Sequence, residues 1–283
     1  MLSKNIKKSG GFKNIKYRKY GSLMKTTYKS KKAPALTRQV IRSIAAKEVH
    51  KNIENKVANI ISQSNSIPSY ALNNALLTIS CIPYTAIGQG VGQGAKIANE
   101  IKIRNLTFNY VLRPAPYTSS YNYLPQPQII MMFFGKVKNT KPIQPTSADY
   151  QYLFQTGNTA QQPYSNTLDL ISTINRDWFT IYKVCIHKVG PNAYDASQSG
   201  VGVTPTYQYY QNNDYKFNVV RKLNITKYAP KTLKFNDATA QPTNDGLWMW
   251  AMACNADGST RNTANQSVTC YMDYNVTVTY EDA

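Results

Sequence analysis

Residues 87–104, IGQGVGQGAKIANEIKIR, admit two readings, and the choice between them sets the fold class. Gly88, Gly90, Gly92 and Gly94 form a ladder after an apolar stretch, and Gly90-x-Gly92 is how a dinucleotide fingerprint begins. That fingerprint needs a helix directly after the glycines and an acid about 20 residues further on. Here Ile101, Ile103, Leu106, Phe108 and Tyr110 follow at strand-like spacing within a few residues, and the first acid, Glu100, comes too early. The ladder therefore reads as a corner between two strands, where the backbone turns tightly or approaches a neighbour closely. Lys96 is the residue in it that an anion would meet.

Downstream of the ladder the period of two recurs. Candidate strands are Leu72–Tyr84, Glu100–Leu112, Gln128–Lys138, Phe179–Val189, Tyr215–Thr226, Lys231–Asn236, Leu247–Cys254 and Val268–Tyr280. They are rich in Val, Ile, Thr, Tyr and Phe, as half-buried pleated strands are. In the last, Val268, Cys270, Met272, Tyr274, Val276, Val278 and Tyr280 share one face and Thr269, Asp273, Asn275, Thr277 and Thr279 the other. Trp248, Trp250 and Met252 alternate with Met249, Ala251 and Ala253, so both faces of that strand are apolar, as in a central strand. Long Pro-, Gly- and Asn-rich loops separate the strands, and Ser147–Gln155 is expected to form a short helix. Without crossover helices a parallel α/β sheet is excluded. The expected fold is all-β: an eight-stranded antiparallel jelly-roll sandwich behind a basic, partly helical N-terminal arm.

Upstream of the strands, charge dominates. Residues 1–56 hold 16 Lys/Arg against Glu48 and Glu54, a balance of +14, whereas the remaining 17 basic and 12 acidic residues leave only +5. Such asymmetry points to a polyanionic partner. In residues 1–35 the cations Lys4, Lys7, Lys8, Lys13, Lys16, Arg18, Lys19, Lys25, Lys29, Lys31 and Lys32 meet no acid and no sustained apolar period. This segment is expected to be disordered alone and to bind single-stranded nucleic acid. Lysines neutralise phosphates, while rings such as Tyr17 stack on unpaired bases. Leu36/Val40/Ile44 and Val49/Ile53/Val57 step by four, which predicts an amphipathic helix, or two, over 36–61. Arg38 and Arg42 lie off its apolar face and extend the nucleic-acid-binding set. Residues 62–69, SQSNSIPS, read as a linker, so the expected division is arm 1–35, helical segment and linker 36–69, and shell domain 70–283.

Nothing supports catalysis, and no metal or cofactor is expected. Asp169, Asp177, Asp237 and Asp245 bound loops, as caps and turns do. His50 and His187 sit inside a helical and a strand pattern, and Cys81, Cys185, Cys254 and Cys270 lack metal-ligand spacing. No run approaches the roughly 18 apolar residues of a membrane span.

The ladder and the strand after it resemble the glycine turn of capsid proteins from small circular, replication-initiator-encoding single-stranded DNA viruses. The matching pattern is Ile87, Gln89, Gly90, Gly94 and Ile97, leading into Ile101 and Ile103. The basic arm, the DWFTIYKVCIHKV strand and the alternating C-terminal strand fall where that family has them. The arm departs from the family in being rich in Lys rather than Arg and in carrying a helical stretch. The resemblance implies a single jelly roll in an icosahedral virion of about sixty copies, closed by symmetric interfaces. It further implies arms facing inward on single-stranded DNA, a host-cell receptor, and assembly in the host nucleus. The same arm would serve the coat of a small RNA or satellite virus. From a different class, a jelly-roll carbohydrate-binding protein would display Trp248 and Trp250 on its surface.

Overall fold

The computed structural model describes residues 39–44, 55–90, 95–96, 99–115, 127–138, 145–190, 193–195, 207–209, 215–236, 242–243, 246–260 and 268–282. The chain divides into two units, Met1–Ile53 and Glu54–Ala283. In the first, residues 39–44 are helical and exposed.

In the second, the strands in chain order are β1 (Asn55–Pro68), β2 (Leu77–Ser80), β3 (Glu100–Pro114), β4 (Gln128–Val137), β5 (Phe154–Thr156), β6 (Thr159–Gln161) and β7 (Thr173–Ile174). They continue with β8 (Phe179–Val189), β9 (Ala193–Asp195), β10 (Tyr207–Tyr209), β11 (Val219–Asn224), β12 (Thr232–Lys234), β13 (Trp248–Asn255) and β14 (Val268–Asp282). One sheet has the order β1-β14-β3-β11, with β12 also pairing with β3. The other has the order β2-β13-β4-β8. Every pairing in both is antiparallel.

The two sheets face each other. Phe108 of β3 packs edge-on against Phe134 of β4, 5.5 Å between ring centres, and Tyr110 of β3 shares a 2.7 Å hydrogen bond with His187 of β8. The β14 face expected from alternation carries the core: Cys270, Met272, Val276, Val278 and Tyr280 are all buried. With few and short helices, the arrangement is consistent with an all-β sandwich. Six of the expected strands, in β3, β4, β8, β12, β13 and β14, stand within two residues of their observed ends.

The central strands of the second sheet, β4 and β13, are covered on their outer face as well. The stretch 145–178 folds over them, so that Trp250 contacts Phe133, Tyr150 and Phe179, and Phe133 contacts Phe154. Trp248 and Trp250 are buried, which removes the sugar-platform role that a carbohydrate-binding reading gave them. Only Ser147–Tyr150 of the helix expected over Ser147–Gln155 is helical; Phe154 already opens β5.

Three further expectations are corrected. The helix over 36–61 and the linker over 62–69 give way, from Asn55, to β1, so the sheet domain begins about a strand earlier than residue 70. Pairing with β14 along its whole length supplies the backbone partners that a helix would have found within itself. The apolar residues that suggested a helix, Val57 and Ile61, are exposed on the outer face of β1, while Lys56, Ala58 and Ile67 are buried. Ser64, at positive φ, forms a bulge whose N–H donates to Asp273 at 2.6 Å. Second, the strand expected over Leu72–Tyr84 is a helical turn at Tyr70–Asn73, the short β2, and a 3-10 turn at Tyr84–Ala86. Third, the strand expected over Tyr215–Thr226 is confined to β11, Val219–Asn224.

Candidate nucleic-acid interface

Of the residues expected to touch nucleic acid, Lys4, Lys7, Lys8, Lys13, Lys16, Tyr17, Arg18, Lys19, Lys25, Lys29, Lys31, Lys32 and Arg38 lie outside the described residues. Arg42 lies within them, on the exposed helical stretch beside exposed Val40, Ile41 and Ile44.

The glycine corner is a closed structural loop. Ile87 is buried, and Gln89 bridges to Lys96. The Gly90 N–H donates to the Lys96 carbonyl at 3.0 Å, and the Lys96 N–H donates to the Gly88 carbonyl at 2.7 Å. Gly90 holds φ +147°, a conformation that favours glycine. Gly94 and Ile97 lie outside the described residues. Lys96 is no anion contact: its side chain is buried, with Nζ 3.8 Å from the centre of the Phe235 ring. A strand follows at Glu100, so no helix N-terminus is available for a phosphate.

Near this corner the cations are consumed by the fold. Lys56 is buried, and its Nζ donates to Asp282 Oδ2 at 2.9 Å and to the Ala95 carbonyl at 2.7 Å. Arg104 pairs with Glu281 at 2.5 Å and Lys234 with Glu100 at 3.0 Å. Arg113 bridges Asp273 and the Ser64 hydroxyl at the bulge. The bond from the Ser64 N–H leads in holding the Asp273 carboxyl below its usual range. The buried pair Lys56–Asp282 specifies geometry more than it adds stability.

Of the acids considered for catalysis, Asp237 and Asp245 lie outside the described residues, and Asp169 does structural work. Asp169 is buried and accepts from the Tyr164 and Ser165 N–H groups at 2.8 and 2.7 Å. Burial raises its pKa to about 6 against those donors. Asp177 is exposed, and Asp149 closes a capping box with Thr146. His187 is held neutral: burial, then the charge of Arg221, lowers its pKa to about 4. The four cysteines are free thiols, and burial pushes those of Cys254 and Cys270 up to about 12.

Sequence reading missed the side where the edge strands β8 and β11 meet. Residues 176–234 contain nine Lys/Arg against Asp177, Asp195 and Asp214, a balance of +6 that exceeds the +5 of everything after Lys56. Of these, Arg176, Lys183, Arg221 and Lys227 belong to separate local patterns and only the sheet order puts them on one side, whereas Lys234 lies at the opposite corner with Glu100. Rings lie among them: Tyr182 of β8 stacks on Tyr228, which follows β11, at 5.5 Å and 12° between planes. Lys227 Nζ sits 4.8 Å from the Tyr228 ring centre.

No protein-family model and no curated protein matches the chain. Among solved structures it is similar to a chain of the mud crab tombus-like virus determined by cryo-electron microscopy. The identity is 13% over 94% of this chain and 93% of that one, with a TM-score of 0.19, a superposition too poor to bear on fold or function.

Proposed function

We propose that the chain is a viral capsid protein: a jelly-roll shell domain that self-assembles into an icosahedral virion, with a basic N-terminal segment that packages single-stranded nucleic acid. The observation that carries this reading is the strand order. Eight strands in two facing antiparallel sheets, β1-β14-β3-β11 and β2-β13-β4-β8, are what two interleaved Greek keys produce. Taken in chain order, these eight strands alternate between the sheets except at β4 and β8, which pair side by side in one sheet. The second support is the +14 balance of residues 1–56 beside a nearly balanced body. Charge of that kind attracts any single strand, with little reading of sequence and a steep dependence on salt. A third support is exposed apolar surface suited to contacts between copies: Ile171, 80% exposed, and the Tyr152–Trp178 stack with ring centres 4.5 Å apart. The finer reading is the family of small circular single-stranded DNA viruses, with a shell of about sixty copies and nuclear assembly; it rests on the glycine-turn resemblance.

The test compares the full chain with a variant lacking residues 1–35. Nucleic acid co-purifying with each is measured after nuclease treatment, and its sensitivity to DNase and RNase is recorded. The full chain should protect a DNase-sensitive cargo that the deletion largely loses. Equal cargo in both would remove the arm's role, and an RNase-sensitive cargo would move the assignment to an RNA virus.

A further inference from the structure

Resting on the nucleic-acid reading above, we infer that the β8/β11 side of the sandwich is a second contact surface for single-stranded nucleic acid, separate from the N-terminal segment. Its parts are Arg176, Lys183, Arg221 and Lys227 as phosphate partners and the stacked pair Tyr182 and Tyr228 as a platform for bases.

The geometry joins them. Arg176, Tyr182 and Lys183 line one groove along the free edge of β8. Tyr182 occupies the bulge where the register with β4 slips between Phe134 and Gly135. The bulge turns its ring onto Tyr228, so the stack bridges the two sheets at their open side. Tyr228 carries Lys227 against its ring. Arg221 projects from β11 opposite Tyr110, close enough to His187 and Cys185 to act on both electrostatically, and Lys183 reaches the same Cys185.

Among the described residues, none of the four cations pairs with an acid. Those of the opposite corner, Lys56, Arg104 and Lys234, all do. Unpaired cations on a polyanion-binding protein release counterions when phosphates replace solvent. Tyrosine rings offer stacking that any base accepts, worth about 1–3 kcal/mol per base. A contact between copies would need an acidic counterpart, and the described acids are mostly buried in caps or already paired. The charge balance therefore favours nucleic acid over a second copy.

The test uses the full chain and a fluorescent oligo-deoxythymidine, with binding followed by anisotropy across a salt series. The quadruple variant Arg176→Gln, Lys183→Gln, Arg221→Gln and Lys227→Gln is compared with the natural chain and with one whose Lys and Arg in residues 1–32 are changed to Gln. At about 0.7 per phosphate contact on a single strand, the quadruple variant should lower the salt slope by about 2–3. The N-terminal variant should retain that portion. In the natural chain, oligonucleotides carrying 5-iodouracil should photo-crosslink to Tyr182 or Tyr228, a readout that does not depend on how the variants fold. An unchanged slope together with no crosslink at either tyrosine would overturn the second surface while leaving packaging by the N-terminal segment intact. A quadruple variant that binds with the natural slope but no longer assembles would identify the side as a contact between copies, and would also overturn it. A natural chain that binds no oligonucleotide would remove both readings.

Discussion

The two sheets share one pleated backbone but live in different surroundings. In β2-β13-β4-β8 the central strands β13 and β4 are buried on both faces, by the other sheet and by the stretch 145–178, while the edge strand β8 leaves residues such as Ile186 exposed. In β1-β14-β3-β11 only the inner face is buried. The outer face is polar or exposed at positions such as Asn59, Asn224, Lys222 and Val220. The doubly covered sheet therefore holds its order through packing, and the singly covered one through pairing and a few buried polar contacts. Substitutions should separate the two.

The largest effect is expected at Gly135. A Cβ there would overlap the Thr180 carbonyl oxygen and lie 3.1 Å from Ile181 Cα. Those are backbone atoms of the bulged β8 and cannot swing aside. Gly135→Ala should cost at least about 4 kcal/mol, seen as a collapse of the urea midpoint or loss of folded protein. Next, Trp250→Ala should cost about 3–5 kcal/mol in the same assay, because three rings, Phe133, Tyr150 and Phe179, close around the site that it vacates.

In the singly covered sheet, Lys56→Ala should cost about 3 kcal/mol by removing a buried cation 2.9 Å from the carboxylate of Asp282, itself 11% exposed. Replacing the pair with Lys56→Met and Asp282→Leu should recover most of that loss. Full recovery would show that the pair contributes specificity rather than stability.

The contact between the sheets should be sensitive to pH. His187 has a folded pKa of about 4, below its ordinary 6.5, so the unfolded chain takes the proton more readily. The stability involved is fully present above about pH 6.5 and is lost as pH falls towards 4, by about 1–3 kcal/mol. His187→Gln should flatten that part of the pH profile, measured as urea midpoints at the two ends. The smallest effect is expected from Val220→Ala on the open outer face, 63% exposed, which should fall within about 0.5 kcal/mol. A cost there comparable to Trp250→Ala would mean that the outer face is covered too, and would erase the contrast.

The same contrast governs what could be read from the sequence. β4 and β13 are apolar on both faces, and β3 and β14 alternate, so each declares itself in a short window. β1 does not. Its inner face carries Lys56 and Ser62, Val57 and Ile61 point outward, and the spacing of Val49, Ile53 and Val57 imitates a helix. What makes it a strand is β14, more than two hundred residues away. The candidate surface was hidden for a related reason. Lys183, Arg221 and Lys227 belong to different local patterns, and only the crossing of strands between sheets brings them to one side. The basic N-terminal segment was legible because charge composition needs no fold to be seen.

The proposed capsid role requires this sandwich to associate with copies of itself. Electron microscopy of the purified 283-residue chain, imaged at low and high salt, tests it most directly. Uniform closed shells are expected, whereas soluble monomers at every salt concentration would contradict the account.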